Sequence, residues 1–125
     1  MTIPTLHVCV TCRAGQVLTD SDPRPGQIML DAIAAQLDPA APAVTLLPVT
    51  CLSSCDQGCT AAISAPGKWT YLLGRLDPTM AADLVTYAGI YAAHPTGSVL
   101  PSKRPASLAR FVVGRMPSVA QDQAA

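Results

Sequence analysis

The hydrophobic positions of this chain fall first into short β-branched runs and later into wider, helical spacing. Residues 5–11 read Thr-Leu-His-Val-Cys-Val-Thr, an apolar run that predicts a buried strand. Residues 13–26 break that pattern with Gly15, Asp20, Asp22, Pro23, Pro25 and Gly26, which is loop chemistry. Met29, Ile33 and Leu37 then recur at helical spacing and predict a helix over 26–37 with one apolar face. The helix stops at Asp38-Pro39, because the proline ring disfavours helix in the residue before it. Residues 43–50 form a second strand candidate. Pro48 within it points to an edge, a bulge or a strand end.

Beyond residue 59, residues 60–65 and 68–73 flank Pro66-Gly67 and predict a hairpin. Asp77-Pro78 opens a second helix, with Asp77 as N-cap and Pro78 at the first helical position. Leu84, Ala88 and Tyr91 mark its apolar face, and His94-Pro95 ends it. A helix between the first two strands favours a parallel βαβ pair. With the hairpin and closing helix added, the order β-α-β-β-β-α predicts a thioredoxin-like α/β sandwich over 1–94. Residues 95–125 are a proline-rich C-terminal tail, whose apolar stretch 108–113 is expected to pack on the body or on a second subunit.

Candidate chemistry lies in five cysteines that fall in two groups. Cys9 and Cys12 form C-x2-C after the first strand; Cys51, Cys55 and Cys59 form C-x3-C-x3-C after the second. Loops at the same end of neighbouring parallel strands converge, so all five sulfurs are expected in one place. Ligands two or three residues apart on a turn can point inward together. Thiolates are soft donors that suit iron–sulfur clusters and zinc, and ligand type alone does not separate the two. A dithiol oxidoreductase at Cys9 and Cys12 is a further alternative. It needs its first thiol at a helix N-terminus, and here a long loop intervenes.

Composition narrows the field further. Formal net charge is zero, from eight basic and eight acidic residues, so overall charge gives no case for nucleic acid. The distribution is uneven. Lys103, Arg104, Arg110 and Arg115 fall in 95–121 with no acid among them. They read as a solvated basic tail or, more sharply, as a strap for an acidic partner or for a cluster's charge. The first residues lack a signal-peptide pattern and no window approaches the length of a membrane span. A cytoplasmic protein with reduced thiols is therefore expected. His7 reads as a surface or satisfied histidine, His94 as a helix-closing one, and Trp69 and Tyr71 as hairpin packing. No Ser/His/Asp array, phosphate-binding glycine loop or carboxylate pair is present, which points to an electron carrier or metal-binding protein rather than an enzyme.

The residues also carry a family resemblance. His7-Val8-Cys9-Val10 resembles the opening strand of the thioredoxin-like [2Fe–2S] ferredoxins. Cys51-Leu52-Ser53-Ser54-Cys55-Asp56-Gln57-Gly58 is similar to their C-x3-C ligand loop. Residues 66–71 resemble their hairpin, and Leu76-Asp77-Pro78 the entry to their last helix. Within that superfamily, Val8-Cys9-x-x-Cys12-Arg13 and the triple-cysteine loop are closer to an uncharacterised bacterial family of predicted metal-binding proteins, often encoded beside cobalamin-biosynthesis genes. The resemblance implies that Cys9 is the first cluster ligand and that Cys51 and Cys55 are the last two. Cys12 takes the second place at a tighter spacing than those ferredoxins use. Cys59 stands where they usually have proline, as an adjacent thiol or alternative ligand. It further implies one-electron transfer between a reductase and a metabolic enzyme, a homodimer, and backbone amides of 13–16 and 53–58 as donors to the sulfurs.

Overall fold

The computed structural model describes residues 3–14, 16–19, 21–53 and 58–118. The predicted hairpin is its plainest local feature. Strands β3 (Ala61–Ser64) and β4 (Thr70–Leu73) pair antiparallel around Pro66-Gly67. Gly67 takes φ +75°, the left-handed conformation that the third residue of such a turn requires. Strand β1 (Thr5–Cys9) lies beside β3, and β2 (Thr45–Val49) lies parallel to β1. Pro48 is therefore on an edge strand, where its missing N–H breaks no ladder.

A helix joins each half to the sheet. Helix α1 (Pro25–Gln36) starts with proline in its first turn and buries Met29 and Ile33, while Leu37 is its C-cap. A 3-10 turn at Pro78–Met80 leads into α2 (Ala81–Ala93), so the predicted second helix begins as a tighter coil. Asp77 is the N-cap as expected, its carboxylate accepting from the Thr79 amide at 2.8 Å. α2 buries Leu84, Tyr87, Ala88 and Tyr91, and His94 is its C-cap. The two helices pack on each other, and α1 packs on β1.

Beyond α2 the chain does more than the strand order predicted from its pattern. Val112–Met116 forms a fifth strand, β5, antiparallel to β4. The sheet order is β2-β1-β3-β4-β5. Val99, Leu108 and Phe111 are buried in the common core, and Phe111 meets Tyr87 edge-on at 5.2 Å. Two of the four bases in this segment fold back on the chain. Arg104 donates to the carbonyls of Val99 and Ala109; Arg115 stacks on Trp69 at 4.0 Å and donates to Ser98 Oγ. Lys103 and Arg110 are exposed.

Alternation decides which sheet face is covered. Leu6, Val8, Ala61, Ile63, Tyr71 and Leu73 are buried. Their neighbours His7, Ala62, Leu72 and Gly114 share a register row and are only half-buried.

Candidate metal centre

Parallel pairing of β1 and β2 sends both chains toward one end of the sheet, and the described cysteines that follow them, Cys12 and Cys51, lie there. The ladder runs one step past the strands, with Val10 N–H donating to Val49 O at 3.0 Å. Thr11 Oγ1 then donates to Thr50 O, tying one cysteine loop to the other. Cys9 Sγ lies 3.8 Å from both Thr11 Oγ1 and Thr50 O. The start of α1 locks the first loop from behind, where Gly26 N–H donates to Cys12 O at 3.1 Å and Arg24 donates to Thr11 O at 3.3 Å.

After each parallel strand the same turn recurs. Ala14, two residues past Cys12, has φ 51°, and its N–H donates to Cys12 Sγ at 3.4 Å. Ser53, two residues past Cys51, has φ 55°, and its N–H donates to Cys51 Sγ at 3.2 Å. Left-handed backbone at a non-glycine residue costs roughly 1–2 kcal/mol, and such positions cluster at functional sites. Each turn aims an amide N–H at a sulfur.

The cysteines do not share one environment. Cys9, Cys12 and Cys59 are free thiols buried in the core, whereas the free thiol of Cys51 is exposed. Cys59 enters from the start of β3; its carbonyl accepts from Leu76 N–H, and the carbonyl of Thr60 accepts from Cys9 N–H. The Gly58–Cys59 peptide is cis. Burial pushes the Cys59 thiol from its ordinary 9.0 up to about 12, helped by the charge of Cys12, a hydrogen bond with the Cys12 side chain, and the charges of Cys9 and Asp77. Cys55, the expected fourth ligand, lies outside the described residues, as do Gly15, Asp20, Ser54, Asp56 and Gln57.

The Cys12 and Cys59 side chains are hydrogen-bonded and Cys9 is near enough to act on Cys59, while Cys51 is exposed on its own turn. Among the described residues, no three His, Cys, Asp or Glu side chains are arranged to hold a metal ion. The donor chemistry suits a thiolate-bound group, with two amide N–H groups already directed at Cys12 and Cys51. The described sulfurs are not by themselves a finished cage.

Three elements of the site left little trace in the sequence. Ala14 and Ser53 have no preference for positive φ that would mark their turns. Thr11 and Thr50 look like ordinary strand residues. Gly26, read as loop chemistry, is placed by a close approach: a Cβ there would lie 2.0 Å from Cys9 O. Of the other candidates, His7 is half-buried on the open sheet face. His94 Nδ1 accepts from Thr96 N–H at 3.1 Å, and Tyr71 is buried with its ring edge-on to Tyr91. Among the described residues no helix is long and apolar enough to cross a membrane.

A solved structure, a thioredoxin-like [2Fe–2S] ferredoxin from Aquifex aeolicus, superposes with a TM-score of 0.57 over 95% of this chain and 98% of that one, at 17% identity. The likeness is one of fold, and it identifies the mixed α/β architecture as thioredoxin-like. No curated protein matches the chain. The family model described as "Protein of unknown function (DUF1636)" matches residues 6–118, nearly the whole described chain, and the protein belongs to that family.

Proposed function

We propose that this protein is a small iron–sulfur electron carrier, with a [2Fe–2S] cluster held by Cys9, Cys12, Cys51 and Cys55 and with Cys59 beside it. The observation that carries this reading is the repeated turn after β1 and β2, each with an amide N–H on a cysteine sulfur. Such bonds stabilise a sulfur that bears negative charge, and they tune a cluster's potential. A bound cluster supplies one-electron chemistry. The chain's own part is to hold the thiolates, direct the Ala14 and Ser53 amides at them, and keep Cys9 and Cys12 out of water.

The thioredoxin-like [2Fe–2S] ferredoxin of similar fold supports the choice of group. On this reading the partners are a reductase and a metabolic enzyme, and a second copy of the chain. Cobalamin metabolism is the pathway that the family resemblance suggests. Zinc on the same thiols is the competing reading, because the donor set is common to both.

One sample separates the readings. Protein purified without oxygen is analysed by visible absorption, with iron, sulfide and zinc quantified together. The expected result is bands that bleach on dithionite, with about two iron and two sulfide per chain. Colourless protein with stoichiometric zinc would overturn the electron-carrier reading. Cys51→Ser or Cys9→Ser should abolish the bands, whereas Cys59→Ser should leave a cluster of the same type; its loss there would sink the ligand assignment.

A further inference from the structure

The buried polar atoms of the C-terminal half point to a second site, separate from the cysteines. Among the described residues two side-chain polar atoms are shielded from solvent with no hydrogen-bond partner, Tyr87 Oη and Arg104 Nε. Both can donate, and Arg104 Nε–H can do nothing else. Each unmet donor costs about 1–3 kcal/mol, and both side chains lie against the Phe111 ring. An acceptor atom placed beside Arg104 Nε would satisfy it.

A cavity adjoins Arg104. Residues of the segment from Ser98 to Arg104 and of β4 and β5 line a cleft of about 300 Å³. Arg104 and Arg115 line it, with Ser98 and Tyr71 as further polar groups and, among the described residues, no carboxylate. Val99, Leu100, Pro101 and Val112 supply apolar wall. Its size and its mix of apolar wall with a few fixed polar groups are those of a small-molecule site.

Both guanidiniums are fixed before any ligand arrives. The outer nitrogens of Arg104 are held by the carbonyls of Val99 and Ala109 at 3.2 and 3.3 Å, and its plane lies 5.8 Å from the Phe111 ring centroid. Arg115 is stacked at 4.0 Å on Trp69 and anchored to Ser98 Oγ at 3.0 Å. That bond uses one of its five N–H donors. Two immobilised cations without a counter-charge in the lining lose little entropy on receiving an anion.

We propose that this cleft binds a small organic anion, with its carboxylate or phosphate head between Arg104 and Arg115 and its apolar body against Val99 and Val112. The head supplies the acceptor that Arg104 Nε lacks. The site is independent of any metal at the cysteines.

The test is a ¹H–¹⁵N NMR titration of the full-length protein with inorganic phosphate, phenyl phosphate and phenylacetate, at ionic strength held constant with sodium chloride. Saturable shifts are expected at the amides of Ser98, Val99 and Val112 and at Arg104 Nε–H. One of the two phenyl probes should bind more tightly than inorganic phosphate, and the tighter one identifies the head group. Arg115→Gln should weaken binding roughly tenfold or more, the effect of losing a charge-assisted pair, with the rest of the spectrum unchanged. Arg104→Gln should do the same; if it unfolds the chain, Arg115→Gln decides alone. Shifts that do not saturate with any probe, or that persist undiminished in Arg115→Gln, would overturn the proposal. Equal affinity for inorganic phosphate and the phenyl probes would overturn the apolar half of it.

Discussion

Ala14 holds a backbone conformation that its own methyl group resists. At φ 51° the cost is roughly 1 kcal/mol, and what the chain gains is an N–H directed at Cys12 Sγ. Ala14→Gly is therefore expected to stabilise the metal-free protein by about 0.5–1 kcal/mol in urea titrations while keeping the turn. Ala14→Pro should do the reverse, because proline has neither positive φ nor an N–H, and on the proposed reading it should also weaken cluster loading. A destabilised glycine variant would mean that the turn is not under strain. A second prediction belongs to Tyr91, whose hydroxyl donates to Trp69 O at 2.5 Å. Burial pushes its phenol from 10.0 up to about 12, with the nearby Tyr71 adding to this and a backbone hydrogen bond at Ala65 opposing it. The folded chain thus keeps a proton that the unfolded chain releases. Its contribution to stability is whole below about pH 10 and is lost as pH rises toward about 12. Tyr91→Phe should cost about 1 kcal/mol at neutral pH and flatten the alkaline fall in unfolding free energy. Tyr87 is pushed the same way by its own burial, so part of the slope should remain.

Among the elements, the junction of β1 with α1 is the one that sets the cysteine loop. Gly26 N–H bonds Cys12 O, and its missing Cβ is the space that Cys9 O occupies. A backbone carbonyl cannot swing aside as a side chain can. Gly26→Ala should therefore cost about 1–3 kcal/mol or more in chemical denaturation and displace the Cys9–Cys12 loop, which on the proposed reading weakens or alters the cluster. Wild-type stability in that variant would show that the helix start can move freely. The elements themselves were largely legible in the sequence: the hairpin from Pro66-Gly67, α1 from Met29 and Ile33, and the Asp77 cap from its place before Pro78. β5 was not, because Val-Val-Gly-Arg-Met is too short and too mixed to announce a strand after a run of prolines. It forms because β4 would otherwise present an unpaired edge, a fact of tertiary context. The site shows the same division. Residue type and spacing marked the cysteines, but burying Cys59 with Cys9 and Cys12 while leaving Cys51 exposed depends on how β3 and the loops pack.

Taken as a whole molecule, the chain divides its sheet between two sources of support. α1 and α2 cover the half built from β1, β3 and β4. The far side is closed by residues after His94, through Val99, Leu108, Phe111 and β5. Ser107 Oγ donates to Asp83 on α2 at 2.5 Å, and Arg75 donates to Arg110 O at 2.5 Å, so the segment is tied to the body along its length. Burying three apolar side chains of this size is worth about 1.5–3 kcal/mol each, comparable in sum to the whole stability of a small domain. A chain stopped after His94 is therefore expected to lose cooperative unfolding, to expose the β4 edge and to associate at micromolar concentration. Near-ultraviolet circular dichroism and size-exclusion chromatography would read both effects. Phe111→Ala in the full chain is the milder form of the same test, with an expected cost of about 3–5 kcal/mol, since it empties the space against Tyr87. A monomeric, cooperatively folding 1–94 fragment would show instead that the two helices and four strands suffice, and that the residues after them are held by the body without supporting it.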